Sequence, residues 1–106
     1  MDRGLLAQSQ PSAAAESLIY TAPQSTTATI STMFICNQGA ATTFRVRVAF
    51  RGEETATTRQ YIYYGTAIAA NDTIAVTGGM TLSDGESMYG YSVSGNVSFS
   101  LFGGEA

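Results

Sequence analysis

Arg45, Arg47 and Arg51 alternate with apolar residues along one stretch of the chain. A row of guanidinium groups on one strand face could clamp carboxylates of another protein, because each presents a planar fork of donors. The competing role is internal pairing with Glu53, Glu54, Asp72 or Glu86, and such exposed pairs contribute little. Tyr61, Tyr63, Tyr64, Tyr89 and Tyr91 form two aromatic clusters that could stack on sugar rings or anchor an interface. Alternation sends part of them into the core. The remainder suit an interface better than a glycan platform, since the chain has no Trp to supply a large flat face. Asp84–Gly85–Glu86 brings two carboxylates together, but calcium needs several oxygen ligands at loop spacing and paired catalytic carboxylates need a cleft. A tight turn accounts for the motif.

Composition removes most other chemistry. The chain has no His, no Lys and a single Cys, so the usual nucleophile, acid–base and metal arrangements lack their parts. No catalytic residue, metal site or cofactor is assigned, and the chain is expected not to be an enzyme. Cys36 cannot form an intramolecular bridge and lies in the apolar run Met33–Phe34–Ile35–Cys36, where a buried thiol acts as a small hydrophobe. Gly78–Gly79 lacks the strand, loop and helix context of a phosphate site and reads as a turn or bulge. Net charge is −3 and all five basic residues are Arg, so no basic field favours nucleic acid. Only 12% of residues are charged, whereas a soluble monomer's surface carries roughly 25–35%. A surface so rich in Ser, Thr, Ala and Gly is understandable if other protein covers much of it.

These side chains need a frame to hold them. A chain of 106 residues and 11.1 kDa fits one domain, with roughly 5,600 Å² accessible when folded against about 16,000 Å² unfolded. From Ser17 onward strand signals recur. Ser17–Ala22 is stopped by Pro23; Ala28–Asn37 is rich in Thr, Ile and Phe; in the third, Phe44, Val46, Val48 and Phe50 alternate with the Arg face. Arg59–Tyr64, Asp72–Thr77, Met80–Ser83, Ser87–Val93 and Val97–Leu101 follow, with Asp84–Gly85 a strong turn signal. Eight short strands without a credible helix predict an all-β, antiparallel β-sandwich, jelly-roll or Ig-like, and a closed barrel is the alternative. Its expected core contains Phe44, Val46, Val48, Phe50, Val97, Phe99 and Leu101.

The expected organisation is an extended N-terminal arm over residues 1–16, a sandwich domain over 17–102 and a tail over 103–106. The arm lacks a sustained period, and its Leu5 and Leu6 are candidate interface residues alongside the Arg and Tyr positions. Its apolar stretch is too short for a secretory signal, and no segment approaches the length of a membrane span. A protein made as a soluble cytoplasmic product, with no membrane partner, is expected. Asn71–Asp72–Thr73 and Asn96–Val97–Ser98 then read as turn residues and not as glycan acceptors.

A further pattern lies in the order of short segments. Ser17–Leu18–Ile19–Tyr20–Thr21–Ala22–Pro23, Ile30–Ser31–Thr32 with Cys36–Asn37, Phe44–Arg45–Val46, Tyr61–Ile62, Ile68–Ala69–Ala70–Asn71–Asp72–Thr73 and the closing Val97–Ser98–Phe99–Ser100–Leu101–Phe102–Gly103–Gly104–Glu105 resemble small virion proteins of tailed bacteriophages, including cyanophages. The resemblance covers nearly all of the chain beyond the arm, and it supplies no catalytic residues. It implies a virion structural component. A capsid decoration or cement protein contacting the major capsid protein is the leading role, and a tail, baseplate or fibre-adaptor part is the second. The low charge and the surface of small residues lead separately to the expectation of a homo-oligomer, with a trimer first because three copies can meet at a threefold junction of a shell. A sugar-binding adhesin module is the reading from another class.

Overall fold

The computed structural model describes residues 3–53 and 55–106. Met1 and Asp2 of the expected arm, and Glu54 among the expected pairing partners, lie outside the described residues. Nine strands run in chain order: β1 (Arg3–Ser9), β2 (Ser17–Thr21), β3 (Ala28–Asn37), β4 (Thr42–Ala49), β5 (Tyr61–Ile68), β6 (Thr73–Val76), β7 (Met80–Leu82), β8 (Ser87–Ser92) and β9 (Val97–Glu105). A short 3-10 turn, Thr58–Gln60, precedes β5.

The strands form two antiparallel sheets. One has the order β1-β9-β3-β6, with β7 pairing the other end of β3's free side; the second has the order β2-β8-β4-β5. Most consecutive strands therefore sit in opposite sheets: β1 to β2, β2 to β3, β3 to β4, β5 to β6, β7 to β8 and β8 to β9 all cross over. That connectivity is a jelly roll. An Ig-like sandwich would instead begin with hairpins within one sheet. The expected β-sandwich is present, in its jelly-roll form.

Two expectations about the ends are corrected. Residues 3–9 are not a free arm: β1 pairs with β9 from Arg3↔Gly104 to Ser9↔Phe99. Nor are residues 103–105 a tail, since β9 continues through Glu105 and pairs with β3 as far as Ala28↔Glu105. The sequence hides β1 because a bulge between Leu5 and Ala7 breaks its alternation. Leu5 stays 50% exposed while Leu6 and Ala7 pack against the core.

The core lies between the sheets. Met33, Ile35, Val97, Phe99 and Leu101 from one meet Phe44, Val46, Met88 and Ile68 from the other, all essentially without solvent contact. Phe44 and Phe99 touch edge to face across the interlayer, with centroids 6.3 Å apart. Gly90 on β8 makes room for this contact. A Cβ there would lie 2.8 Å from both Ile19 Cδ1 and Phe99 Cε2, so this inward position must stay bare. Asn37 is buried at the end of β3 and fully used. Its Nδ2 donates to the carbonyls of Ala40 (2.9 Å) and Ala69 (3.0 Å), and its Oδ1 accepts from the Gly39 N–H at 3.1 Å, which ties two loops to one strand end.

Two core expectations fail at strand boundaries. Phe50 is 66% exposed because β4 ends at Ala49 and the chain turns there. Cys36 is half-buried on the outward side of β3, since Ile35 and Asn37 take the inward positions. Val48 is also only half-buried, although it packs against the core. The turn readings of Asp84–Gly85 and Gly78–Gly79 hold: Glu86 N–H donates to Ser83 O at 2.9 Å, and Gly79 has φ +78° between β6 and β7.

A candidate docking face on the four-stranded sheet

The outer face of the β2-β8-β4-β5 sheet gathers most of the residues singled out from the sequence. Alternation on β4 sends Phe44 and Val46 inward and Arg45 and Arg47 outward. Register then sets their neighbours. Arg45 pairs with Tyr91 on β8 and Tyr64 on β5; Arg47 pairs with Tyr89 on β8 and Tyr61 on β5. Leu18 on β2 extends the second row through its pairing with Tyr89. The result is two cross-strand rows in which a guanidinium lies between tyrosines.

Strand β5 produces this arrangement through irregularity. Its register slips between Tyr64 and Thr66 and between Tyr61 and Tyr63, so Gly65 and Ile62 are the extra residues of two bulges. Gly65 has φ +64°, the left-handed conformation that glycine adopts without cost. The bulges let Tyr61 and Tyr64 both face outward, with ring centroids 4.9 Å apart at 77°. Tyr63 faces inward, where its ring meets Phe44 at 5.3 Å. It is therefore a core residue and leaves the set of interface candidates.

The two arginines differ sharply. Arg45 lies 4.4 Å from the Tyr64 ring centroid and 4.5 Å from that of Tyr91, with no ion pair or side-chain hydrogen bond to any described residue. Arg47 stacks on Tyr89 at 3.8 Å, yet its guanidinium is covered: its side chain is 3% exposed. Nη2 lies 2.6 Å from Glu16 Oε1, Nε donates to the same oxygen at 2.7 Å, and Nη1 donates to Gln60 Oε1 at 2.7 Å. Arg47 thus points to the predicted side of the sheet but is not open for a partner. The hydrogen bond to Glu16 holds its pKa above the ordinary arginine value; desolvation opposes this and is outweighed. Arg51 does not belong to the face at all. It sits in the turn after β4, 70% exposed, 3.5 Å from Asp84.

Glu16 and Gln60 were not anticipated from the sequence. Glu16 precedes β2 and reaches both Arg47 and the Tyr61 hydroxyl, which donates to Oε2 at 3.4 Å. The carboxylates expected to pair with the Arg stripe are engaged elsewhere: Glu53 with Arg59, Asp72 with the Thr73 N–H and Glu86 with the Ser83 N–H. No sequence signal marks Glu16, because its contact depends on which strands lie beside β2 in the folded sheet.

The exposed apolar part of this face comprises Tyr64 (63%), Leu18 (51%) and Ile62 (44%). On the opposite sheet, Leu5, Phe34 and Phe102 form a smaller outward cluster, with the two phenylalanine rings edge to face at 5.8 Å. A cavity of about 350 Å³ opens at the end of the sandwich between Phe50, Leu82, Arg59 and Glu86. Among the described residues no group of three or more His, Cys, Asp or Glu is placed to hold a metal, and no helix is long and apolar enough to cross a membrane. The chain matches no protein-family model, no curated protein and no solved structure.

Proposed function

We propose that the chain is a non-enzymatic structural component of a tailed-phage virion, acting as a capsid decoration protein that docks on the shell through the outer face of its β2-β8-β4-β5 sheet. The observation that carries this reading is the composition of that face. Tyr61, Tyr64, Tyr89 and Tyr91 alternate with Arg45 and Arg47 across the strands, and Tyr and Arg enrichment with few other charges is the signature of an interface core. The sequence resemblance to small virion proteins points the same way. The jelly roll adds an analogy, because viral capsid domains use it, as lectins do.

The mechanism is linkage. A protein that binds the assembled shell and not its free subunits shifts assembly toward the shell, and many copies on one particle add their effects. The rigid sandwich keeps the docking side chains preorganised, which lowers the ordering cost of each contact. Quantitative mass spectrometry of purified particles tests the assignment. A copy number comparable to that of the major capsid subunit supports decoration, and a few copies per particle favours the tail or baseplate alternative. Absence from purified particles overturns the virion reading.

A further inference from the structure

Arg45 and Arg47 are two copies of one device on one strand face, and only one of them is filled. Each guanidinium sits over tyrosine supplied by the neighbouring strands, Arg45 over the rings of Tyr64 and Tyr91 and Arg47 over that of Tyr89. Stacking uses the faces of the group and leaves its in-plane N–H donors for an acceptor. At Arg47 those donors go to the Glu16 carboxylate and the Gln60 amide oxygen. At Arg45 no described residue takes them, although the residue is half-buried and two rings displace water from its faces. A guanidinium held in place and partly desolvated, with free donors, attracts a carboxylate more strongly than a fully solvated one does.

We infer that Arg45, clamped between Tyr64 and Tyr91, is the receptor for an Asp or Glu side chain on the protein surface against which this face lies. The inference rests on the docking reading above and names the chemistry of its centre. Three observations select this occupant. Charge complementarity requires an anion. The filled neighbour shows that a carboxylate reaching across the sheet fits the stacked geometry. The site also lies on an open sheet face and lines none of the cavities at Phe50 and Leu82, at Gly4 and Gly104, or at Gln8 and Ser98, which suits a protein surface better than an enclosed small ligand.

The test is a titration of the isotopically labelled full chain, following the arginine Nε–H resonances by NMR. The probes are the peptide acetyl-Gly-Glu-Gly-amide, its Gln counterpart, and N-acetylneuraminic acid as a carboxylated sugar. The expected result is a saturable shift of the Arg45 resonance and the Tyr64 and Tyr91 ring signals with the Glu peptide. The Gln peptide should bind about tenfold more weakly or worse, as loss of a charge-assisted hydrogen bond predicts, and the Arg47 resonance should stay still. Arg45→Lys, which keeps the charge but loses the fork, should weaken the response, and Arg45→Gln should abolish it with an unchanged far-UV circular dichroism spectrum. Equal responses to the Glu and Gln peptides, or no response at Arg45, overturn the site. Tighter binding of the sugar overturns the choice of a protein carboxylate. A shift that follows protein concentration without peptide assigns the site to a second copy of this chain and overturns the choice of a different partner. Absence of the chain from virions would sink the virion reading and leave this titration intact; an unresponsive Arg45 in a chain found on particles would sink the site alone.

Discussion

Arg47 holds together three segments that are distant in sequence: the stretch before β2 through Glu16, the 3-10 turn through Gln60, and β8 through Tyr89. Its burial makes the pairing consequential, because a buried guanidinium stripped of its carboxylate keeps the desolvation cost without the compensation. Glu16→Gln should therefore lower stability by roughly 1–3 kcal/mol, seen as a lower urea midpoint with an unchanged slope. The exposed pair Arg59–Glu53 supplies the contrast, with side chains 70% and 41% accessible; Glu53→Gln should change stability by less than about 1 kcal/mol. The pH dependence follows from the sign of the shift. Arg47 is raised in the folded state, so its stabilising effect is in place at neutral and mildly alkaline pH and is lost as pH rises into strong alkali. Arginine deprotonation will not destabilise the fold near neutrality.

At the scale of elements, β1 and the last residues of β9 are integral to the fold. β1 covers the free side of β9, the strand that supplies Val97, Phe99 and Leu101 to the core. Removing residues 1–9 would leave β9 as an uncovered edge, strip Leu6 and Ala7 from the core margin, and expose a template for intermolecular pairing. The deletion should lose the cooperative thermal transition or lower it markedly, with a rise in aggregates by light scattering. A truncated chain that melts like the full one would show β1 to be dispensable. β1 escaped the sequence reading because its Leu5–Leu6 pair straddles a bulge and its flanks are polar and small. The other eight strands were legible as elements, since Phe44–Val46 and Val97–Phe99–Leu101 keep a period of two. The strand expected at Arg59–Tyr64 is instead Tyr61–Ile68, because Thr58–Gln60 forms a 3-10 turn and a bulge at Gly65 carries the strand onward.

For the whole molecule, the low charge and the Tyr/Arg face lead to an expectation about association. The accessible surface of 5522 Å² matches a compact monomer of this mass, so any oligomer joins complete subunits. Sedimentation equilibrium of the purified chain should report a closed homo-oligomer, with a trimer expected from the threefold junctions of a shell. A monomer at all concentrations would reject that expectation. Tyr64→Ala and Leu18→Ser change outward residues that are 63% and 51% exposed. They should leave the melting temperature nearly unchanged while reducing incorporation into particles.

The sequence alone determined the side of the sheet to which Arg45 and Arg47 point and the inward set Phe44, Val46, Phe99 and Leu101, because alternation is a local property of an extended chain. It also determined which chemistries lack their residues. What each outward side chain meets was decided by the tertiary structure. Arg47 is covered and Arg45 open because the Glu16 carboxylate and the Gln60 amide reach the guanidinium of one row and not that of the other. Tyr63 turns inward while Tyr61 and Tyr64 turn outward because two bulges shift the register of β5. Phe50 is exposed because β4 stops one residue earlier than its pattern does. Each of these depends on pairing between segments far apart in the chain, and period and composition carry no record of such pairing.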